Sequence, residues 1–194
     1  MALTTSAFAG TSEGPYIGVG IGAYREDLTV SGGGTFGSDK FDVGASIFGG
    51  YRWNMGAGSV AAELSHNSNA GELGTSSIAT TSGDGVLDGK LENNWAISVL
   101  PGYNFTKDTT GFIRIGYTQA KGTVTVNGTT TIAGSESHTF KGPIWGFGVD
   151  QAFTPNLAGR IEYQFLDLKS WADDAGISFE PRATGINLSL RFAF

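Results

Sequence analysis

The sequence predicts an all-β chain folded as an eight-stranded antiparallel up-and-down meander, and three observations carry that reading. Eight segments alternate apolar with small or polar residues at a period of two, the signature of a strand with unlike faces. The connections between them alternate short and long. Glycine fills 31 of 194 positions and the charged residues only 15%, a composition hostile to long helices because glycine costs ~1 kcal/mol per helix-interior position.

The first strand, 16–24, sets Ile17, Val19, Ile21 and Ala23 against Gly18, Gly20 and Gly22. The second, 40–53, sets Phe41, Val43, Ala45, Ile47, Tyr51 and Trp53 against Asp42, Gly44, Ser46, Gly50 and Arg52, with Phe48 out of pattern. The third, 59–67, opposes Val60, Ala62, Leu64 and His66 to Ala61, Glu63, Ser65 and Asn67. In the fourth, 91–105, Trp95, Ile97, Val99, Pro101, Tyr103 and Phe105 oppose Asn94, Ala96, Ser98, Gly102 and Asn104. The fifth, 111–126, opposes Ile113, Ile115 and Tyr117 to Arg114, Gly116 and Thr118; the sixth, 139–153, opposes Trp145, Phe147, Val149 and Phe153 to Gly146, Gly148 and Asp150. The seventh places Ile161, Tyr163 and Phe165 opposite Arg160, Glu162 and Gln164. The eighth places Ile186, Leu188, Leu190, Phe192 and Phe194 opposite Asn187, Ser189 and Arg191.

Short turns at 54–58, 106–110 and 154–156 separate strands two from three, four from five and six from seven, while long polar segments near 31–39, 68–90, 121–138 and 169–181 join the others. All long loops then fall on one end, the arrangement of a transmembrane barrel with short periplasmic turns and long extracellular loops. No run of 18 or more apolar residues offers a membrane helix, but barrel strands need only alternate apolar residues. The net charge of −6 and the absence of cysteine leave no basic patch for nucleic acid and no thiolate chemistry.

The charges decide which face is inside. Arg52, Glu63, Arg114, Asp150, Arg160, Glu162 and Arg191 all lie on the small, polar parity, each within about ten residues of a short turn or the chain end. They are expected at one level of the lumen, as a nearly balanced network that closes it, because charge in a narrow interior is costly unless paired. The bulky parity then faces lipid, and an eight-stranded barrel has room inside for the small one. Tyr51, Trp53 and Tyr103 fall near the short-turn rim and Trp95, Tyr117, Trp145 and Phe165 higher, as two aromatic belts. Residues 1–9, with Ala7 and Ala9 at signal-peptidase spacing, are expected to be a residual signal-peptide tail or disordered arm, and 10–194 the barrel domain.

Several stretches carry a resemblance to a known family: Gly14-Pro15-Tyr16-Ile17-Gly18-Val19-Gly20, Ala62-Glu63-Leu64-Ser65 and Gly111-Phe112-Ile113-Arg114-Ile115-Gly116-Tyr117. Arg160-Ile161-Glu162-Tyr163-Gln164-Phe165-Leu166-Asp167-Leu168 and Asn187-Leu188-Ser189-Leu190-Arg191-Phe192-Ala193-Phe194 complete the set. The chain resembles the opacity-protein-like group of eight-stranded outer-membrane barrels, related in architecture to the OmpA transmembrane domain. The resemblance implies export to the outer membrane of a Gram-negative-type bacterium, with Phe194 read by the barrel-assembly machinery.

The function expected is non-enzymatic: a surface antigen or envelope structural protein acting through four loops, in contact with outer-membrane lipids, lipopolysaccharide and a surface or host partner. A narrow porin-like channel is the alternative. A third reading rests on His66-Asn67-Ser68-Asn69, which resembles the His-x-Ser-Asn motif of lipid A deacylases. The spacing puts His66 and Ser68 on one strand face, but the motif sits early in the chain, and Glu72 and Glu92 are the only nearby acids to orient the base. No cofactor or metal is expected: His138 is alone in a predicted loop, and Asp173, Asp174 and Glu180 read as solvated acids.

Overall fold

The sheet closes on itself through the pairing of its first and last strands. A computed structural model describes residues 12–30, 34–37, 42–69, 71–80, 83–128, 134–168, 171–172 and 178–194. These form β1 (Gly14–Val30), β2 (Gly34–Gly37), β3 (Asp42–Met55), β4 (Gly58–Asn69), β5 (Gly71–Thr80) and β6 (Gly83–Asn104). β7 (Thr109–Gly128), β8 (Gly134–Ala152), β9 (Leu157–Asp167), β10 (Trp171–Ala172) and β11 (Ser178–Ala193) follow. Eight of them, β1, β3, β4, β6, β7, β8, β9 and β11, pair with their chain neighbours in antiparallel order, and β11 returns to β1 from Tyr16↔Ala193 to Val30↔Phe179. β2, β5 and β10 add to β1, β6 and β11 at the end away from the short turns.

Local chemistry sets the three short turns. Gly56, at φ +68°, starts the two-residue link between Met55 and Gly58, where a tight hairpin requires positive φ. The other two share a device. Thr106 Oγ1 accepts from the Asp108 and Thr109 amides (3.2 and 3.0 Å), and Thr154 Oγ1 accepts from the Asn156 and Leu157 amides (3.4 and 3.0 Å). A threonine hydroxyl thereby satisfies backbone donors that the turn removes from the ladder.

Side-chain parity follows the alternation in the sequence. Ile17, Val19, Leu64, Ile97, Ile115, Phe147, Ile161 and Leu188 are exposed on the outer wall, while the opposite parity is buried inside. Phe48, out of pattern in sequence, points inward and is buried, edge-on to Tyr16 with centroids 6.3 Å apart. The lumen is therefore not walled by small residues alone, because Phe48, Phe112, Tyr16, Tyr24, Leu100 and Ile144 also fill it. The inward glycines make that possible: a Cβ on Gly18 would stand 2.2 Å from Phe48 Cζ, and one on Gly148 would stand 2.6 Å from Phe112 Cζ. Ring and glycine interdigitate as large and small residues do in any close-packed core.

The polar segments read as loops from sequence are corrected in part. The β6–β7 ladder runs out to Gly85↔Gly128, β7–β8 to Val126↔Gly134, and β5 pairs β6 from Gly71↔Leu91 to Thr80↔Gly83. His138 accordingly stands in β8 opposite Gly122, and Glu72, Glu92 and Glu180 lie in β5, β6 and β11. Hydrophobic alternation marks strands with one apolar face, so segments that lack it are under-reported by patterning. Residues 1–9, Phe41, Asp173 and Asp174 lie outside the described residues.

The absence of native cysteine permits a direct test of parity. A fluorophore on Leu188→Cys is expected to be quenched by spin-labelled acyl chains in vesicles, and one on Ser98→Cys to be shielded from them; equal quenching at both would refute the inside-outside assignment.

Candidate functional site in the lumen

The seven charged residues of the polar parity meet inside the barrel, all buried. They arrive from six different strands, β3, β4, β7, β8, β9 and β11. Arg52 Nη2 donates to Asp150 Oδ2 at 2.5 Å, and Arg160 Nε donates to Asp150 Oδ1 at 2.7 Å. Arg160 Nη1 also reaches Glu63 Oε2 (2.8 Å), while Arg114 Nη2 reaches Glu63 Oε1 (2.6 Å). Arg114 Nε in turn binds Glu162 Oε1, with Nη2 on Oε2 at 3.0 Å. Arg191 Nε lies 3.9 Å from Asp150 Oδ2. The result is one chain of ions, Arg52–Asp150–Arg160–Glu63–Arg114–Glu162, with Arg191 appended at the Asp150 end.

Aromatic groups complete the network. The Tyr16 hydroxyl donates to Glu63 Oε2 at 2.9 Å. The Arg160 guanidinium lies between Phe48 and Phe112, 5.0 and 4.7 Å from their ring centroids. Such contacts are worth ~2 kcal/mol or more when desolvated. Towards the outer end Tyr24 donates to Asn187 Oδ1 (2.6 Å) and Thr118 to Asn94 Oδ1 (2.8 Å). Ala96, Ile144, Leu166 and Ala183 then form an apolar layer, and Ala120, Leu168 and Phe140 another. The interior is filled over several levels by side chains rather than lined by them.

Tyr16, Tyr24, Phe48 and Phe112 were not among the site residues expected from sequence. A signal existed for the tyrosines: both share the parity of Gly18, Gly20 and Gly22, the parity assigned to the lumen.

The other expected residues fall on the outer wall. Tyr51, Trp53 and Tyr103 are exposed near the short turns, and Trp95, Tyr117 and Trp145 are exposed higher up, with Phe165 half-buried. Trp145 stacks on Phe165 (3.9 Å, 11°) and Tyr51 packs on Trp53 (4.8 Å). Trp95 and Tyr103 are eight residues apart on β6, about 26 Å along the strand and about 20 Å along the axis at a tilt of ~40°. That separation is close to the ~25 Å apolar band of such barrels. Phe194 is exposed, its ring 5.4 Å from Phe192 and its amide donating to Pro15 O at 3.1 Å. His66 lies against Trp95 (4.3 Å), and the Ser68 hydroxyl donates to Ala45 O (3.3 Å).

A closed antiparallel barrel with an apolar exterior and a filled polar interior defines the class as a membrane-spanning barrel, and comparisons with known proteins agree. The profile described as "Outer membrane protein beta-barrel domain" matches residues 1–194, and the chain belongs to that family. It is 33% identical over 167 residues to a "22 kDa outer membrane protein" of Rhizobium leguminosarum bv. viciae, covering 84% of this chain and 67% of that protein. Neisserial surface protein A shares the fold at TM-score 0.54 and 16% identity, over 92% of this chain and 97% of the other. Ail, the attachment invasion locus protein of Yersinia pestis, shares it at 0.51 and 16%, over 92% and 99%. The protein is thus located in the bacterial outer membrane.

Breaking a buried ion pair from one side leaves an uncompensated charge and costs ~3–5 kcal/mol. Glu63→Gln, which removes one carboxylate from both Arg114 and Arg160 and leaves them Glu162 and Asp150, is expected to lower the free energy of urea unfolding in detergent by about that amount. Lys107→Ala, on the exposed turn pair Lys107–Asp108 (3.8 Å), should change it by under about 0.5 kcal/mol. Indistinguishable unfolding midpoints would show that the network does not contribute to stability.

Proposed function

We propose that this protein is a non-enzymatic envelope protein whose closed barrel serves as a rigid membrane anchor for surface-exposed hairpins. The observation that carries the reading is the filling of the lumen, with Arg160 held by two carboxylates and two phenyl rings at its centre. Strand length supports the second half. β6 and β7 have 22 and 20 residues, whereas ~9–11 suffice to span a bilayer. The surplus extends the barrel wall beyond the upper aromatics, as paired backbone that carries the connecting segments towards lipopolysaccharide or a partner outside the cell.

Lipid A hydrolysis is not favoured by the geometry of its candidate pair. The Ser68 hydroxyl is engaged by a backbone carbonyl and the His66 ring by Trp95. Phe194, with Phe192 beside it on the outer wall, is proposed as the residue that the assembly machinery recognises.

Two experiments test these readings. In planar bilayers at high salt, protein shown to be folded is expected to give no unitary conductance steps; stable steps altered by Arg160→Ala would establish the narrow channel instead. Phe194→Ala is expected to reduce outer-membrane assembly in cells several-fold while leaving refolding in detergent intact. Normal assembly of the variant would remove Phe194 from that role.

A further inference from the structure

In the periplasmic half of the lumen three buried arginines, Arg52, Arg160 and Arg191, gather around the Asp150 carboxylate. Arginine cannot release its proton, so each buried guanidinium needs acceptors. The pairing geometry locates them. Glu63 and Glu162 are taken up by Arg114 and Arg160. Asp150 receives Arg52 at 2.5 Å and Arg160 at 2.7 Å, with Arg191 only at 3.9 Å, beyond hydrogen-bond reach.

Arg191 is 2% exposed, and its Nε and Nη1 have no hydrogen-bond partner among the described residues. In register it faces Gly18 on β1 and Ala158 on β9, neither of which offers a side-chain acceptor. One contact moderates its charge, the Tyr16 ring 5.0 Å from the guanidinium carbon, and the Tyr16 hydroxyl is committed to Glu63. At the periplasmic rim the Glu13 carboxylate is engaged by the Asn54 amide (3.0 Å).

We propose that Arg191 holds a small inorganic anion, of halide size, in the periplasmic half of the lumen. Two donors of one guanidinium, without a partner among the described residues and buried where Arg52 and Arg160 already occupy the nearby carboxylate, form a binding site for such an ion. The confinement selects its size: the Tyr16 ring bounds one side of Arg191, and the neighbouring Phe48 and Arg160 fill the lumen beyond. On the side facing the short turns the neighbouring inward residues, Ala158, Ala193 and Ser59, are small and buried. The inference rests on the closed-lumen reading, since in an open channel the charge would be screened by bulk electrolyte.

The test compares the thermal unfolding midpoint of the refolded full chain in nonionic detergent with sodium chloride and with sodium gluconate, at equal ionic strength and pH. Binding to the folded state alone raises stability in proportion to the logarithm of ligand excess, so chloride is expected to raise the midpoint by about 2–4 °C over gluconate. Arg191→Met should abolish the difference, and Lys107→Gln on the exposed turn should preserve it. Equal midpoints in the two salts, or a difference that survives Arg191→Met, would overturn the proposal. Should that variant not fold, crystals of the unaltered protein grown in bromide decide the matter: an anomalous peak beside Arg191 Nη1 supports the site, and no peak there overturns it. Conductance steps would refute the closed lumen and this inference with it, whereas equal midpoints in the two salts from a barrel without conductance would remove the anion and leave the closed lumen standing, so the two failures are distinguishable.

Discussion

Backbone hydrogen bonding without water is the constraint on which the rest of this structure depends. Within a bilayer each unpaired N–H or C=O costs several kcal/mol, and a sheet with free edges carries a row of them. The β1–β11 ladder removes both edges at once. Closure then dictates the remainder: eight strands enclose a narrow interior, one parity must meet lipid, and the other must fill the space inside.

How that space is filled sets the character of the protein. Glycine at 18 and 148 yields volume to Phe48 and Phe112, which flank Arg160. The same guanidinium bridges Asp150 and Glu63, so aromatic packing and ion pairing are one structure rather than two. Buried ion pairs are weak arguments for stability by themselves, because desolvation offsets their attraction. Their geometric effect is plain: the network ties together β3, β4, β7, β8 and β9 across the lumen, in addition to the ladders around its wall.

The barrel is also longer than a membrane requires. The hairpins β6–β7 and β7–β8 continue as paired strands well beyond Trp95, Tyr117 and Trp145, so what faces the cell exterior is in part an extended sheet. A common barrel wall does not by itself specify a function.

Much of this was legible in the sequence. Alternation at a period of two exposed the outer wall residue by residue, the order of short and long connections gave the meander its orientation, and the position of the seven charges on one parity placed them in the lumen. These are local properties, written within about ten residues of chain. The outer strand ends were legible only in part: the fifth strand to 126, but not β6 from Gly83 to Lys90 or β8 from Gly134 to His138, because those segments lack regular apolar alternation. Nor were the partners of the charges, since Arg52 and Asp150 are 98 positions apart and Arg160 and Glu63 are 97. Sequence determined which side chains enter the lumen; only the closed tertiary structure decided which of them touch, because an ion pair depends on distances of a few ångströms that the register around the whole ring sets. The inward turn of Phe48 and the distance of Arg191 from Asp150 belong to that second class, visible only once opposite walls of the barrel face each other.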